Sequence, residues 1–343
     1  MNRFEFVGTI PKPKDKSNMI SATKSGKKYL KLLIRQNENN SAYVQLYGDT
    51  LYNGAIPVHV KNSSKRFTIN FDNRFDENIL SKVSYYDKYT IKHDNVAHEF
   101  IWKDDFMDYA YELITNMPNN TIYKVTGEFF ISQVNSKTYN NFSIRKIEIT
   151  NSLEPKLTLS FDLFYNHKSL DESDKRNKFI INGYLEQYNY SSKQKEYYPF
   201  QTQFVTNRFD FKNPTDVEQI IHRKANLSPS KEEGYVKATW EAQYVRGAQL
   251  IMPPLETLPK DIQFEIKNAG REIKEYMSNV VGETSEFICL TRPDNTATKD
   301  GKVYMSLKCT DNEFENKINS QFKVNENTID NLAEKDAKEN PFN

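Results

Sequence analysis

Eight cations and a single acid fall within Pro11–Arg35: Lys12, Lys14, Lys16, Lys24, Lys27, Lys28, Lys31 and Arg35 against Asp15. The stretch closes on Tyr29–Arg35 (YLKLLIR). Alternation there puts Leu30, Leu32 and Ile34 on one face and Tyr29, Lys31, Leu33 and Arg35 on the other. Tyr43–Tyr47 (YVQLY) repeats the device, with Val44 and Leu46 inward and Tyr43, Gln45 and Tyr47 outward. Cations spaced along a strand and interleaved with flat rings suit an unpaired polynucleotide. The cations neutralise its backbone, and each base stacked on a ring contributes about 1–3 kcal/mol. Weaker versions occur at Lys65-Arg66-Phe67 and at Lys137/Tyr139 with Arg145. A hairpin turn further on carries Tyr188, Tyr190, Lys193, Lys195, Tyr197 and Tyr198, its charge offset by Glu186 and Glu196. Any one of these rings also reads as ordinary cross-strand packing, since Tyr favours strands. Clustering is what singles out the first set. The candidate contact residues are therefore Lys24, Lys27, Lys28, Tyr29, Lys31, Arg35, Tyr43, Tyr47, Lys65, Arg66, Tyr139, Arg145, Tyr190, Lys193 and Tyr197.

Catalytic patterns do not emerge beside this. The sequence holds no GxxxxGK[ST] or GxGxxG phosphate loop, no HExxH, no GxSxG and no CxxC. His93 and His98 are five apart, and His59, His167 and His222 are isolated. Asp104-Asp105-Asp108 reads as the negative first turn of a helix, and Asp171-Glu172-Asp174 as a polar loop. Cys289 and Cys309 have no His or Cys neighbours with which to hold a metal, and they point to a reducing, cytoplasmic setting. The expectation is a non-enzymatic chain with no cofactor and no metal.

The elements that must position the cations and rings read as mainly β. Strands are expected at Arg3–Ile10, Tyr29–Arg35, Tyr43–Tyr47, Val58–Phe71 and Tyr85–Ile101. The period then changes to helical, with Phe106, Tyr109, Ala110, Leu113, Ile114 and Met117 on one face. Asp104 or Asp105 is the expected N-cap, and Pro118 lies just beyond the end. Ile122–Ser132 and Tyr139–Thr150 return to strand. After Glu154-Pro155 the order repeats: strands Lys156–Tyr165, Lys178–Tyr190 and Glu196–Phe211, a helix opened by a Thr215/Glu218 capping box, and strand Tyr235–Val245. Three strands, a helix and more strands, twice over, is the order of the OB-fold, whose second and third strands form the ligand face. Pro259–Val281 reads as a long amphipathic helix, and Glu286–Arg292 with Lys302–Cys309 as a hairpin. The expected fold is thus α+β, mainly β: tandem OB-like five-stranded barrels, the second decorated by a long helix and a hairpin. The divisions are 1–152, 153–324 and a disordered acidic tail at 325–343.

The first repeat resembles the OB domain of bacterial and phage single-stranded-DNA-binding proteins. The resemblance rests on FEFVGTI near the start, KSGKKYLKLLIRQ, and the closing VTGEFFISQVNSKTYNNFSIRKIEIT. It covers residues 1–150 and extends loosely over 156–250. The ending Glu339-Asn340-Pro341-Phe342-Asn343 resembles that family's acidic Pro-Phe tip, which docks onto replication proteins, and implies that Pro341 and Phe342 contact a partner. This chain departs in three ways: Lys335 and Lys338 lie in the tail, Asn343 follows Phe342, and it has about twice a typical bacterial length. Two repeats in one chain suggest a phage-type version acting in replication or recombination.

Composition bounds the rest. Within 343 residues the net charge of +1 conceals a polarity, with 21 Lys/Arg against 16 Asp/Glu in residues 1–150 and 4 against 8 in residues 311–343. A basic front half points to a polyanion partner. No run approaches the ~18 apolar residues of a membrane span, and the N-terminus carries no apolar signal region. Asn and Lys, 36 each, fit an AT-rich genome. Alternatives stay open: a structural OB-domain scaffold of a phage particle, or a binder of duplex DNA, RNA or an acidic protein. Oligomeric state is not legible.

Overall fold

Besides a helix at 311–320, seventeen strands and three α-helices run along the described residues, in a computed structural model that describes residues 2–23, 26–49, 51, 54–134, 137–150, 153–175, 177–189, 192–206, 209–248, 260, 263–264, 284–293 and 303–320. They begin with β1 (Arg3–Thr9), β2 (Ile20–Ala22), β3 (Lys28–Arg35), β4 (Ser41–Tyr47), β5 (Ala55–His59), β6 (Arg66–Asn70) and α1 (Glu77–Leu80). Next come β7 (Tyr89–His93), β8 (Val96–Phe100), α2 (Lys103–Asn116), β9 (Ile122–Val134), β10 (Lys137–Ile149) and β11 (Lys156–Tyr165). The remainder are β12 (Leu170–Asp171), β13 (Lys178–Asn189), β14 (Gln194–Val205), α3 (Pro214–Leu227), β15 (Val236–Ala248), β16 (Thr284–Pro293) and β17 (Met305–Ser306). The predicted helix Pro259–Val281 (Lys260, Gln263 and Phe264 excepted), Lys24, Tyr190, and the tail with Pro341 and Phe342 lie outside the described residues.

Two five-stranded circuits account for most of the sheet. β1 meets β3 at Thr9↔Arg35, β3 pairs antiparallel with β4, and β4 runs parallel to β10 at Gln45↔Ser143. β10 pairs with β9, which returns to β1. The second circuit repeats this with β11, β13, β14, β16 and β15, including the parallel step at Gln203↔Cys289. In both, the order around the barrel is first, second, third, fifth, fourth, and a helix (α2 or α3) separates the third strand from the fourth. This is OB topology twice. An insertion between β4 and α2 carries the hairpins β5–β6 and β7–β8. The first has its own small core of Ile56, Val58, Ile69, Leu80, Val83, Ile101 and Trp102.

The barrels are joined through their first strands. β1 and β11 pair antiparallel from Arg3↔Ser160 to Val7↔Lys156, so one sheet runs through both circuits. One apolar core also runs through, its aromatic chain linking Phe142 to Tyr244 at 5.0 Å, and Phe129 to Phe161 at 6.2 Å and Phe200 at 5.8 Å.

Several expectations are corrected locally. Residues 284–293 pair with β15 and β14 and complete the second barrel, instead of forming a hairpin with 302–309; Met305 and Ser306 pair with β15. Helix α2 begins two or three residues early, because buried Trp102 fixes the entry and serves as N-cap without a side-chain bond; Asp104 and Asp105 sit in its first turn. In α3 the ring of Pro214 takes the first helical position, so Asn213 is the cap and its Oδ1 accepts from Thr215 N–H at 3.1 Å. Val58–Phe71 and Tyr85–Ile101 are broken by turns, the latter at Asp94-Asn95, both at positive φ.

Candidate nucleic-acid interface

Strands β3 and β4 deliver the face that their alternation predicts. Leu30, Leu32, Ile34, Val44 and Leu46 are buried, which turns Tyr29, Lys31 and Arg35 outward opposite Tyr47, Gln45 and Ser41 in register. Tyr43 and Tyr47 are 41% and 47% exposed, large values for rings on paired strands. Tyr29 stacks on Tyr47 with centroids 4.7 Å apart and planes at 29°. Burial, and then the neighbouring Tyr47, push the Tyr29 hydroxyl up to about 12, so it stays a neutral donor and bonds Gln45 Oε1 at 3.2 Å. Gln45 passes the chain on to Asn141 Oδ1 at 3.2 Å, and Asn141 donates to Ser132 Oγ at 2.8 Å. These bonds lock the polar groups between the rings in place.

A shallow cavity of about 190 Å³ lies on this face, and the second barrel supplies part of its wall. Lys31 Nζ, from β3, sits 4.1 Å from the Tyr43 centroid on β4, and the Arg246 guanidinium, paired with Glu286 at 3.6 Å, reaches the same ring at 4.9 Å from β15. Asn40, in the β3–β4 turn, holds that strand: its Nδ2 donates to Tyr244 O at 3.3 Å and its Oδ1 accepts from Arg246 N–H at 2.9 Å. Gln187, at the end of β13, does the converse, taking Ile131 N–H at 2.9 Å and donating to Ile131 O at 2.7 Å. Each barrel thus clamps the fourth strand of the other with one side-chain amide. Sequence reasoning missed Arg246. Its only signal is a cation in a strand, and its partner is two hundred positions away.

The predicted cations separate into two groups. Lys27, Lys31 and Arg35 are exposed and make no ion pair among the described residues. Lys28 instead reaches back to α2, where it and Lys16 pair with Asp108. Lys28 is thereby a strut between barrel and helix, not an open phosphate ligand. Burial pushes Asp108 up, but the bonds from Lys28 and Lys16 outweigh it and hold the carboxyl below its usual range. Asp104 beside it goes the other way: burial raises it, the Lys28 charge only partly offsets this, and its Oδ1 has no hydrogen-bond partner among the described residues.

The remaining candidates are dispersed. Lys65 and Arg66 are exposed at the β5–β6 turn, in the insertion and off the barrel sheet; Arg66 Nε donates to His59 Nε2 at 2.8 Å. Tyr139 is exposed on β10, beside the face. Arg145 is engaged internally, with Glu128 at 3.0 Å and with Tyr86 O and Tyr89 Oη. Lys193 is exposed in the β13–β14 turn.

Tyr197 does not present a ring to a ligand. It is 7% exposed although its strand position faces away from the barrel interior, because a helix at 311–320 lies over it. Phe314 of that helix stacks on Tyr235 at 4.0 Å and lies 4.8 Å from Tyr197 and 5.8 Å from Tyr184. The β13–β14 surface of the second barrel, equivalent to the β3–β4 face of the first, is covered by the chain itself around Tyr184 and Tyr197, while Asn182, Tyr188, Pro199 and Gln201 are exposed.

No group of His, Cys, Asp and Glu suited to a metal ion occurs among the described residues. No family model matches the sequence, and no curated protein matches it. Among solved structures, the chain is similar to the wild-type single-stranded DNA binding protein from Thermus aquaticus, at 10% identity and TM-score 0.32, over 72% of this chain and 85% of that one. A deletion mutant of the same protein gives 11% identity and TM-score 0.31, over 76% of this chain and 98% of that one.

Proposed function

We propose that the chain binds single-stranded DNA without catalysing a reaction, using the β3–β4 face of the first barrel. The observation that carries the reading is the exposed ring of Tyr43 between Lys31 and Arg246, next to the stacked pair Tyr29–Tyr47. A single strand laid across β3 and β4 stacks one base on Tyr43 and continues the Tyr29–Tyr47 stack with another. Lys31, displaced from the ring, takes up a phosphate together with Lys27, Arg35 and Arg246. Flat rings select unpaired bases, because a duplex hides its base faces. The second barrel contributes Arg246 and a scaffold rather than a second copy of the face.

Within the same proposal, the chain protects or organises single-stranded DNA in phage replication or recombination, in the host cytoplasm. The Asn- and Lys-rich composition and the two barrels in one chain support that setting. The test is competition for a labelled oligo-dT by unlabelled single-stranded and duplex DNA of equal length. Preferential displacement by the single strand is expected; equal displacement would move the reading to a general polyanion binder.

A further inference from the structure

Elsewhere on the outer surface of the sheet, the seam between the barrels forms a groove of about 500 Å³, within the ~300–1,000 Å³ of small-ligand sites. Its floor is the outward row of β1 and β11, with Arg3, Glu5, Lys156 and Thr158. Each barrel adds an arginine by the same device. The fifth strand bulges, after Ile144 in β10 and near Thr291 in β16, and the next outward side chain is re-aimed over the fourth strand. Arg145 then pairs with Glu128 at 3.0 Å, and Arg292 with Glu241 through Nη2 at 3.1 Å. The first bulge requires Gly127, where a Cβ would lie 1.9 Å from Ser143 O. Six cations line the groove, Arg3, Lys88, Arg145, Lys146, Lys156 and Arg292, and carboxylates pair with five of them: Glu99 with Lys88, Glu128 with Arg145, Glu148 with Lys146, Glu5 with Lys156 and Glu241 with Arg292.

At one end stand Tyr85 and Tyr86, 74% and 64% exposed and edge-to-face at 6.0 Å. Nothing in the core uses these rings. The main chain between them is nevertheless fixed, since Tyr86 O accepts from Arg145 and Ser84 Oγ caps the turn. They are two aromatic surfaces held at the mouth of a groove lined by ion pairs.

We propose that this groove is a second contact for the same single strand, taking one or two nucleotides with a base on the Tyr85–Tyr86 pair and with phosphates displacing the carboxylates that pair with Lys146, Lys156 and Arg292. It rests on the single-strand reading of the β3–β4 face and extends it. Strand β10 supplies the route between the two: Tyr139 and Asn141 border the front face, Ser143 follows, and Arg145 and Lys146 enter the groove. A short oligonucleotide occupies the front face alone, and a longer one wraps along β10 to the back.

The experiment titrates the full chain with oligo-dT of about 10 and about 30 nucleotides, spanning one and several barrel-sized sites. Wild type, Tyr43→Ala and Tyr85→Ala/Tyr86→Ala are compared, with melting temperature and sedimentation recorded for each. Removing two exposed rings is expected to leave the melting temperature and the short-oligomer affinity unchanged and to weaken the long oligomer about tenfold. Tyr43→Ala weakens both. Long-oligomer binding equal to wild type in Tyr85→Ala/Tyr86→Ala overturns the groove and leaves the front face standing. A wild-type dimer that the double variant dissociates, with DNA affinity unchanged, makes the groove an interface between copies and also overturns it. No binding of either oligomer to wild type removes the front-face reading itself.

Discussion

The guanidinium of Arg246, on the fourth strand of the second barrel, lies 4.9 Å from the ring centroid of Tyr43, on the third strand of the first. The candidate interface is therefore a property of the two barrels together. It depends on β1–β11 pairing and on Asn40, which holds the Arg246 backbone against the β3–β4 turn.

Removing the guanidinium should act electrostatically. Arg246→Gln keeps the backbone bond to Asn40 but deletes the charge. The slope of log K against log salt should fall by about 0.7, one phosphate's worth for a single strand. Lys28→Gln, by contrast, should leave the slope unchanged and lower stability, because it removes the strut to Asp108. Titrations at several salt concentrations beside thermal melts separate the two.

The clamp between barrels gives a stability prediction. Gln187→Ala leaves both polar groups of Ile131's backbone without their partner, at a cost of about 1–3 kcal/mol for each group that water does not reach. Denaturant unfolding should show the loss. Tyr188→Ala, one position away and exposed, should stay within about 0.5 kcal/mol of wild type.

Tyr197 should behave as a core residue despite its place among tyrosines and lysines. Truncating it to Ala opens a void beside Phe164 and Phe314, at a cost of about 3–5 kcal/mol. Folded Tyr197→Ala protein should bind single-stranded DNA as wild type does. Weaker binding with unchanged stability would restore it to the interface.

The two carboxylates on α2 should respond oppositely to pH. Asp104 is raised in the folded state, so its ionisation opposes folding and the cost grows as pH rises from its unfolded value through its folded one. Asp104→Asn should accordingly raise the melting temperature at neutral pH and give no gain near about pH 3. Asp108 is lowered, so its contribution is complete above the unfolded value and is lost as pH falls through the folded one. Asp108→Asn should destabilise at neutral pH and converge on wild type in acid. Melting curves of the two variants across that range check both signs.

What was legible in the sequence is what local periodicity encodes. Leu30, Leu32 and Ile34 against Tyr29, Lys31 and Arg35 fixed which face of β3 is buried, and the repeated strand–helix order announced both barrels. Contacts between distant segments were not legible. The fifth strand of the second barrel lies beyond residues 249–283, so 284–293 looked like half of a local hairpin. Lys28 shares the phase of Leu30, Leu32 and Ile34, so alternation turns it inward, but that the carboxylate of Asp108 on the adjacent helix takes its charge is a contact across 80 residues. Tyr197 points outward as its strand dictates, and the helix at 311–320, with Phe314 and Lys317, lies over it from more than a hundred residues on. Arg145 and Arg292 owe their aim to bulges, which leave no periodic trace.

The most direct test of the central claim is fluorescence anisotropy of labelled oligo-dT with wild type and Tyr43→Ala, at low and moderate salt. The account predicts salt-sensitive binding by wild type and a loss of about 1–3 kcal/mol in the variant, with an unchanged melting temperature. Equal affinity of the two proteins at both salts would contradict stacking on Tyr43 and leave the β3–β4 face without its defining ring.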